Sequence, residues 1–346
     1  MKKSKRAIIG IQGLSLSDEE IFILKKYSPL GIILFSRNIK NKKQVKKLIN
    51  DIRDTLGWKC PILIDQEGGR VQRLKRPIWP KYPSAKIFGD IANISLRKAK
   101  RAVYLNYVLL GIELKELGIS VNCAPCLDVK SKIMHSVIGD RSFSANPNIV
   151  VSLGDAACKG MIDAGVLPVI KHIPGHGKAI VDSHKELPKI TDSIKSLENS
   201  DFLPFKALSK MPIAMTAHIL FSNIDKNFPI TQSKKAYNYI RNVIKYEGIL
   251  ISDDIDMLAL SGSIKYKVDS IIKANFDIIL HCSGNIIDAE RVLINTPLLN
   301  NNLSNKWKVH LDTIDNSLKT INKEIYKEKI NEIFYDVLKV NSDYYE

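Results

Sequence analysis

Asp182 and His184 stand two residues apart, a spacing that suits proton transfer. Residues two apart in an extended segment point to the same side, so the Asp182 carboxylate could orient the His184 imidazole and raise its basicity. Histidine titrates near neutral pH, with an unperturbed pKa of about 6.5, and can give and take a proton there. The pair is therefore a candidate general acid/base.

The segment around this pair is rich in histidine and in residues that break helices. His172 and His176 precede His184, and the Pro-Gly-His-Gly run at 174–177 excludes a regular helix and predicts a shaped loop. Two histidines four apart can bind a metal from one helix face, but this loop lacks that geometry. A loop metal site built from the three histidines and Asp182 remains an alternative. A second alternative is that these histidines only form hydrogen bonds with backbone groups.

Polar side chains recur where short apolar runs end. They are Asp65, Asp128, Lys171, His172, His218, Asp253, Asp254 and His281. Active sites of α/β barrels lie at the C-terminal ends of the strands. A random scatter would place as many polar groups at the opposite ends. The pattern therefore predicts a functional site at one rim of a barrel.

Short apolar runs and longer amphipathic stretches alternate about eight times along the chain. The runs have the composition of parallel strands buried on both faces. They are residues 7–10, 31–35, 62–65, 120–124, 166–170, 213–216, 248–252 and 277–280. The helical stretches are residues 17–27, 42–56, 96–117, 147–164, 193–208, 233–246, 267–274 and 288–293. This alternation predicts an α/β fold, a single (β/α)8 TIM-type barrel over residues 1–304.

An open doubly wound sheet is the rival fold for the same alternation. It would normally carry a glycine-rich dinucleotide turn after its first strand. The segment Gly10-Ile11-Gln12-Gly13 lacks that fingerprint. We therefore favour the closed barrel and expect no cofactor.

Residues 305–346 form the second predicted unit, a C-terminal helical extension that packs on the barrel. Its apolar residues recur at helical spacing, as Leu311, Ile314 and Leu318, and then as Ile330, Ile333 and Leu338. A separate helix that binds a partner is the alternative reading of this pattern.

The net charge of +16 is spread over scattered lysines rather than gathered into one arm. We interpret it as solvated helix faces and expect no nucleic-acid partner. No stretch reaches the roughly 18 apolar residues of a membrane span, so no membrane insertion is expected. The basic N-terminus precedes a short, interrupted apolar run that fits a first strand better than a signal peptide. A cytoplasmic monomer is the expectation.

The five cysteines are odd in number and sit in a long chain, which argues against a disulfide framework. Cys123 and Cys126 form a C-x-x-C motif, the pattern of redox sites and of half a zinc site. No second C-x-x-C accompanies it, and the pair spans a strand end rather than a helix start. Free thiols that fill the core are the simpler interpretation.

The motifs of this chain resemble those of family 3 of the glycoside hydrolases, in its β-N-acetylglucosaminidase branch of bacterial cell-wall recycling. The matching segments are Asp65-Gln66-Glu67-Gly68-Gly69-Arg70-Val71-Gln72-Arg73, Ala124-Pro125 with Asp128-Val129, Gly139-Asp140-Arg141-Ser142-Phe143, Lys171-His172-Ile173-Pro174-Gly175-His176-Gly177, Asp182-Ser183-His184 and Ser252-Asp253-Asp254. They follow one another in order over roughly residues 7 to 300. The long motifs at 65–73 and 171–184 are highly specific.

The resemblance implies roles for these residues. Asp253 would be the nucleophile of a retaining reaction and form a covalent glycosyl-enzyme. His184 would protonate the leaving oxygen and later activate water, with Asp182 holding its tautomer. The residues that match sugar-binding positions are Asp65, Arg73, Arg141, Lys171 and His172. For these five, a buried ion network is the alternative.

The substrate implied is a small amino sugar at the end of a muropeptide. His176 and His218 would be supports behind the site, and no metal is expected. A helix N-cap is the alternative role for Asp253, with Asp254 the better cap. Many family 3 enzymes carry a second domain that supplies the acid, and this chain is too short for one. Its own loop carries Asp-x-His instead.

Two positions depart from the family pattern. Asp256 stands where a small polar residue is more usual, and it could raise the pKa of Asp253 by like-charge repulsion if it faced the site. Cys123 and Cys126 replace apolar residues. Two further alternatives keep the same site: a phosphorylase, with phosphate as acceptor, and an inactive sugar-binding protein. A metal-dependent hydrolase is the third.

Overall fold

Eight parallel strands close into a barrel, which confirms the predicted fold class. The computed structural model describes residues 4–131, 138–315, 322–339 and 343–345. The barrel strands are β1 (Lys5–Gly10), β2 (Pro29–Leu34), β3 (Ile62–Ile64), β4 (Val121–Asn122), β5 (Leu167–Ile173), β6 (Ile213–Thr216), β7 (Ile249–Asp254) and β8 (Ile278–His281). Each strand pairs with its neighbour in the chain, and β8 pairs with β1 to close the circle.

The helices lie outside this barrel. They are α1 (Asp18–Tyr27), α2 (Lys42–Leu56), α3 (Ala85–Ile94), α4 (Leu96–Leu117), α5 (Pro147–Asp163), α6 (Ile194–Glu198), α7 (Leu203–Ala207), α8 (Lys234–Asn242), α9 (Ile264–Lys273), α10 (Ile286–Asn295), α11 (Asn301–Asp315) and α12 (Lys323–Leu338). Local signals set many of their starts. Ser17 and Glu20 form a capping box before α1, and a proline opens α5.

The single helix predicted at 193–208 is wrong, because two short helices, α6 and α7, replace it. Pro204 lies in the first turn of α7, where its missing N–H is not needed, so it marks a helix start rather than a helix interior. Helix α3 was not predicted. It ends at Ser95, which also caps α4, so the two helices share one polar residue as their boundary.

The barrel interior is closed at its N-terminal end by α11. Leu303, Trp307 and Ile314 of this helix belong to the same buried cluster as the inward-facing residues of the strands, such as Ile8 and Leu63. Trp307 is fully buried. The opposite, C-terminal end of the barrel has no such helix in its buried cluster and carries the polar residues discussed below.

Helix α12 packs on α3 and α4, with the rings of Phe334 and Phe88 6.0 Å apart. The Tyr345 hydroxyl donates to Asn106 Oδ1 at 2.7 Å and so ties the end of the chain to α4. Helix α11 begins at Asn301, ahead of the predicted boundary at 304/305. That division into two units stays a prediction, and Leu318 lies outside the described residues. No described helix is long and apolar enough to span a membrane.

Candidate active site

A cavity of about 190 Å³ opens at the C-terminal end of the barrel. Of the residues predicted from the sequence, those that line it are Asp65, Arg73, Arg141, Lys171, His172, His184 and Asp253. Other lining residues are Ile33, Phe35, Val71, Met215, Asp254, Met257, Leu280 and Cys282. The predicted supports, Asp182, His176 and His218, lie behind this lining. The rim expected from the ends of the strands is therefore where the cavity lies.

A network of five charged side chains forms one wall of the cavity: Asp65, Arg73, Arg141 and Lys171 line it, and Glu67 is buried behind them. Lys171 lies 2.9 Å from Asp65 and 2.6 Å from Glu67, and Arg73 lies 3.1 Å from Asp65. Arg141 donates two hydrogen bonds to Glu67, at 2.7 and 2.9 Å. This is the bidentate geometry in which arginine holds a carboxylate most firmly.

Glu67 is the member of this wall that the sequence reasoning left without a role. It is 6 % exposed, and burial alone would raise its pKa. The Arg141 and Lys171 charges outweigh burial and lower that pKa to about 2. The only sequence signal for a role of Glu67 was its position in the 65–73 motif, shortly after β3. Its contacts with Arg141 and Lys171, which are far along the chain, could not be predicted from that position.

A short antiparallel hairpin positions Glu67 and Arg73. It pairs Gln66–Gly68 with Val71–Gln72, and its turn needs glycine. Gly68 has φ of +97°, and a Cβ atom there would lie 2.2 Å from the Pro83 carbonyl oxygen. The hairpin therefore turns tightly after β3 and places Arg73 at the cavity and Glu67 against Lys171 and Arg141.

Asp128 orients His172, a second role that the sequence did not predict. Asp128 Oδ2 lies 2.7 Å from His172 Nδ1, and its other oxygen accepts from the backbone N–H groups of His172 and His176. The Asp128 pKa is lowered, because these interactions outweigh its complete burial. On its far side, His172 Nε2 lies 3.9 Å from Asp253 Oδ2. His172 thus stands between a buried carboxylate and the predicted nucleophile.

Cys126 does more than fill the core, since its thiol donates to Asp128 Oδ2 at 3.2 Å. Cys123 is fully buried in the barrel interior, and burial raises its pKa. Both thiols are free. The two cysteines do not form a reactive pair, because burial disfavours the thiolate that redox or metal chemistry needs.

The loop metal site is not assembled by the histidines proposed for it. Within the described ranges, the one group of three or more potential ligand atoms lying within 4.8 Å of each other is Cys126, Asp128 and His172. Asp128 already accepts from four groups there. His184 pairs with Asp182 elsewhere on the loop, and His176 faces Ser183.

Asp182 and His184 are in contact, although not through an extended segment. Asp182 Oδ1 accepts from the His184 backbone N–H and lies 2.8 Å from His184 Nδ1. The chain turns here, since the Asp182 carbonyl also accepts from the backbone of Lys185. The expected extended geometry is therefore wrong, and an Asx-type turn makes the contact instead. With Nδ1 donating to Asp182, His184 Nε2 is the ring atom left to exchange a proton.

The loop that carries His184 is anchored by Ser183. The Ser183 hydroxyl lies 3.1 Å from His176 Nε2, and its carbonyl accepts from Ala259 N at 3.2 Å. Burial lowers the pKa of His176 to about 4, so this imidazole is neutral at pH 7. At Gly177 an added Cβ atom would lie 1.9 Å from the Val129 carbonyl oxygen. The loop is thus fixed at both ends, while the His184 side chain itself is 63 % exposed.

Asp253 is the penultimate residue of β7. Burial would raise its pKa, but His172, His218, the backbone N–H of Asp254 and Lys171 together lower it. His218 supports this position from below, with Nε2 3.0 Å from the Asp254 carbonyl oxygen and Nδ1 2.8 Å from Thr231 Oγ1. No described helix starts at Asp253, so the N-cap alternative is wrong for this residue.

Asp256 does not line the cavity. Its carboxylate lies 3.0 Å from Nε2 of the buried His281. Asp256 was expected to repel Asp253 only if its carboxylate faced the site, and it does not. Asp254 does line the cavity. The pKa of Asp254 is raised to about 6 by burial and by the charges of Asp256 and Asp253. Hydrogen bonds from the backbone N–H groups of Asp256 and Cys282 act in the opposite direction and lower it.

The model of the glycosyl hydrolase family 3 N-terminal domain matches residues 6–322 of this chain. The chain belongs to family 3 of the glycoside hydrolases. A β-hexosaminidase of Alkalilimnicola ehrlichii is 33 % identical to it over 283 residues, which cover 80 % of each chain. A β-hexosaminidase of Haemophilus ducreyi is 33 % identical over 284 residues, again 80 % of each.

Solved structures of this family share the architecture. NagZ of Neisseria gonorrhoeae superposes with a TM-score of 0.85 at 29 % identity, over 96 % of this chain and 98 % of that one. A family 3 β-N-acetylglucosaminidase of a Paenibacillus species gives 0.80 at 26 % identity, over 96 % of this chain and 67 % of that one. The protein is therefore an enzyme, a glycoside hydrolase of the β-N-acetylhexosaminidase type. The resemblance seen in the sequence is confirmed.

Proposed function

We propose that this enzyme removes terminal β-linked N-acetylglucosamine with retention of configuration. The observation that carries the proposal is that Asp253 and the Asp182-supported His184 line one cavity. Nucleophile and proton donor are the two groups that a retaining hydrolysis needs. A cavity of about 190 Å³ fits one sugar ring and favours attack at a chain end.

In the first step, Asp253 attacks the anomeric carbon while His184 Nε2 gives its proton to the departing oxygen. The lowered pKa of Asp253 keeps the carboxylate ionised and ready to attack at neutral pH. Bond formation to carbon and bond breaking to oxygen leave a covalent glycosyl-enzyme. The Asp182 carboxylate stabilises the imidazolium that carries the proton beforehand.

In the second step, the neutral His184 takes a proton from water. The resulting hydroxide attacks the anomeric carbon, Asp253 leaves, and the sugar is released with its original configuration. Most retaining glycosidases use a second carboxylic acid for this work. A histidine on a loop that packs against the β7 end serves here instead.

The charged wall binds the sugar hydroxyls. Lys171, Arg73 and Arg141 present donors whose counter-charges, Asp65 and Glu67, are already in place. Such a wall is rigid before the substrate arrives, so little order has to be gained on binding. Asp65 and His172 add an acceptor and a ring nitrogen at the same surface.

The natural substrate we propose is a muropeptide fragment of peptidoglycan in the cytoplasm. The resemblance to the cell-wall recycling branch and the likeness to NagZ support the substrate. The five free cysteines support a reducing compartment. A monomer remains our prediction for the oligomeric state.

Release of p-nitrophenol from its N-acetyl-β-glucosaminide by pure protein at neutral pH tests the activity. No release, beside an active control enzyme, would overturn it. The variant D253A is expected to lose turnover by at least about 1,000-fold. H184G is expected to lose less activity on aryl substrates than on natural sugars, because a good aryl leaving group departs without being protonated.

A phosphorylase is the second candidate, and the presence of a histidine as acid/base favours it. A neutral imidazole repels phosphate less than a carboxylate would. Product analysis in phosphate buffer separates the two activities, since a hydrolase yields free sugar and a phosphorylase yields sugar 1-phosphate.

A further inference from the structure

Three carboxylates lie within four residues at the end of β7. Asp253 and Asp254 line the cavity, and Asp256 turns away from it. The backbone anchors the same segment to β8: Asp254 Oδ1 accepts from Cys282 N at 3.0 Å, and Ile255 N donates to the Leu280 carbonyl. The proposed nucleophile is therefore followed by a short segment that carries two further carboxylates close to the cavity.

His281, the last residue of β8, is the group that Asp256 meets. Its Nε2 lies 3.0 Å from Asp256 Oδ2, a close contact whose angles do not form a hydrogen bond, and the imidazole is fully buried whereas the Asp256 side chain is 29 % exposed. Ser283 Oγ lies 3.4 Å from the same nitrogen. Lys267 of α9 also lies near Asp256, and its ammonium donates to the Ile255 carbonyl at 2.7 Å.

The side chains that act on Asp253 from other elements are His172 and Lys171 of β5 and His218 after β6, and the backbone N–H of Asp254 acts on it from its own strand. A third carboxylate turned toward them would add a negative charge next to two existing ones. Like charges disfavour ionisation, so a freed Asp256 would oppose the ionised form of the nucleophile.

We propose that His281 is a positioning residue: its contact holds the Asp256 carboxylate away from the cavity and so preserves the charge state of Asp253. His281 does not line the cavity. The proposal rests on the assigned role of Asp253 as nucleophile.

A matched pair of variants tests this role. In H281Q the amide nitrogen takes the place of Nε2 and can still reach Asp256. In H281N the side chain ends near the position of Nδ1, which has no partner, and cannot reach it. Both variants keep a polar, uncharged side chain, so they differ mainly in contact with Asp256.

The readout is the pH dependence of kcat/KM for the p-nitrophenyl substrate between pH 2.5 and 8, because the lowered pKa of Asp253 places the wild-type acid limb below pH 3.8. H281N is expected to raise the apparent pKa of the acid limb by about one unit. H281Q and the double variant D256S/H281N are expected to keep the wild-type limb. H310N, which removes a histidine of α11, serves as the control. The basic limb is expected to stay in place in all of them.

An unshifted acid limb in folded H281N, or a shift that D256S does not reverse, would overturn the proposal. If H281N fails to fold while the double variant folds, the unpaired Asp256 is the cause and the proposal stands. If neither folds, His281 is needed for the fold whatever Asp256 does, and the proposal is wrong. Wild-type hydrolysis and the loss in D253A are measured first, so a failed function is recognised separately.

Discussion

Replacing Glu67 by glutamine removes one buried negative charge from the wall of the cavity and leaves its shape nearly unchanged. Glu67 faces Lys171 at 2.6 Å and receives two hydrogen bonds from Arg141. In E67Q, Arg141 loses the charge of the carboxylate that it holds at 2.7 Å, while Lys171 keeps Asp65. We expect both lower stability and weaker sugar binding.

The pKa of Glu67 sets the size of the loss. It falls from 4.5 to about 2 on folding, which corresponds to about 3 kcal/mol of stability at pH 7. Breaking a buried ion pair by removing one partner typically costs about 3–5 kcal/mol, which agrees. A folded pKa below the unfolded value stabilises the protein above pH 4.5. That contribution is lost as the pH falls from 4.5 toward 2.

Urea unfolding of the wild type and of E67Q between pH 7 and pH 3 measures this effect. The difference in unfolding free energy is expected to be about 3 kcal/mol and constant above pH 5, and to narrow below pH 4.5. E247Q is the matched control, since Glu247 is an exposed partner of Lys210, and it should change stability by less than about 0.5 kcal/mol. A difference below about 1 kcal/mol at pH 7, or one that persists unchanged at pH 3, would refute the reasoning.

Three further predictions concern the loop and the chemistry. D182N is expected to lower kcat/KM for sugar leaving groups by about 100-fold, because His184 loses the carboxylate that contacts its Nδ1. The control is D192N, which removes the charge of the Asp192 carboxylate that pairs with Lys178. Equal losses of kcat/KM in D182N and D192N would contradict the prediction. G177A is expected to lower kcat at least about tenfold, because its Cβ meets the Val129 carbonyl, whereas G13A has nothing nearer than 3.9 Å and should be silent. A chelator is expected to leave activity unchanged, and loss that an added metal restores would revive the metal-dependent hydrolase.

The fold was predictable because its signals are local. The apolar composition of the eight runs reflects strands buried on both faces, and that property belongs to each strand alone. Capping and proline signals placed α1 and α5 well. The helix at 193–208 failed because helical spacing continued through a turn. Helix α3 was missed although Phe88, Ile91 and Ala92 recur at helical spacing in it.

The candidate site was predictable only in part. Asp182 and His184 are neighbours in the chain, so their contact followed from spacing, although a turn rather than an extended segment brings them together. The ends of the strands placed Asp65, Lys171 and Asp253 at one rim. Their sugar-binding and catalytic roles came from the resemblance to the family, not from spacing.

The sequence by itself determined the barrel, the rim that carries the chemistry and the family. Tertiary structure decided which charges meet. Glu67 and Arg141 are 74 residues apart, and Asp128 and His172 are 44 apart, so no local pattern relates them. The same holds for Asp256, whose carboxylate lies 3.0 Å from His281 of the next strand. Electrostatic partners are set by distance in space, and burial makes each of these pairings strong, which is why only the folded chain reveals them.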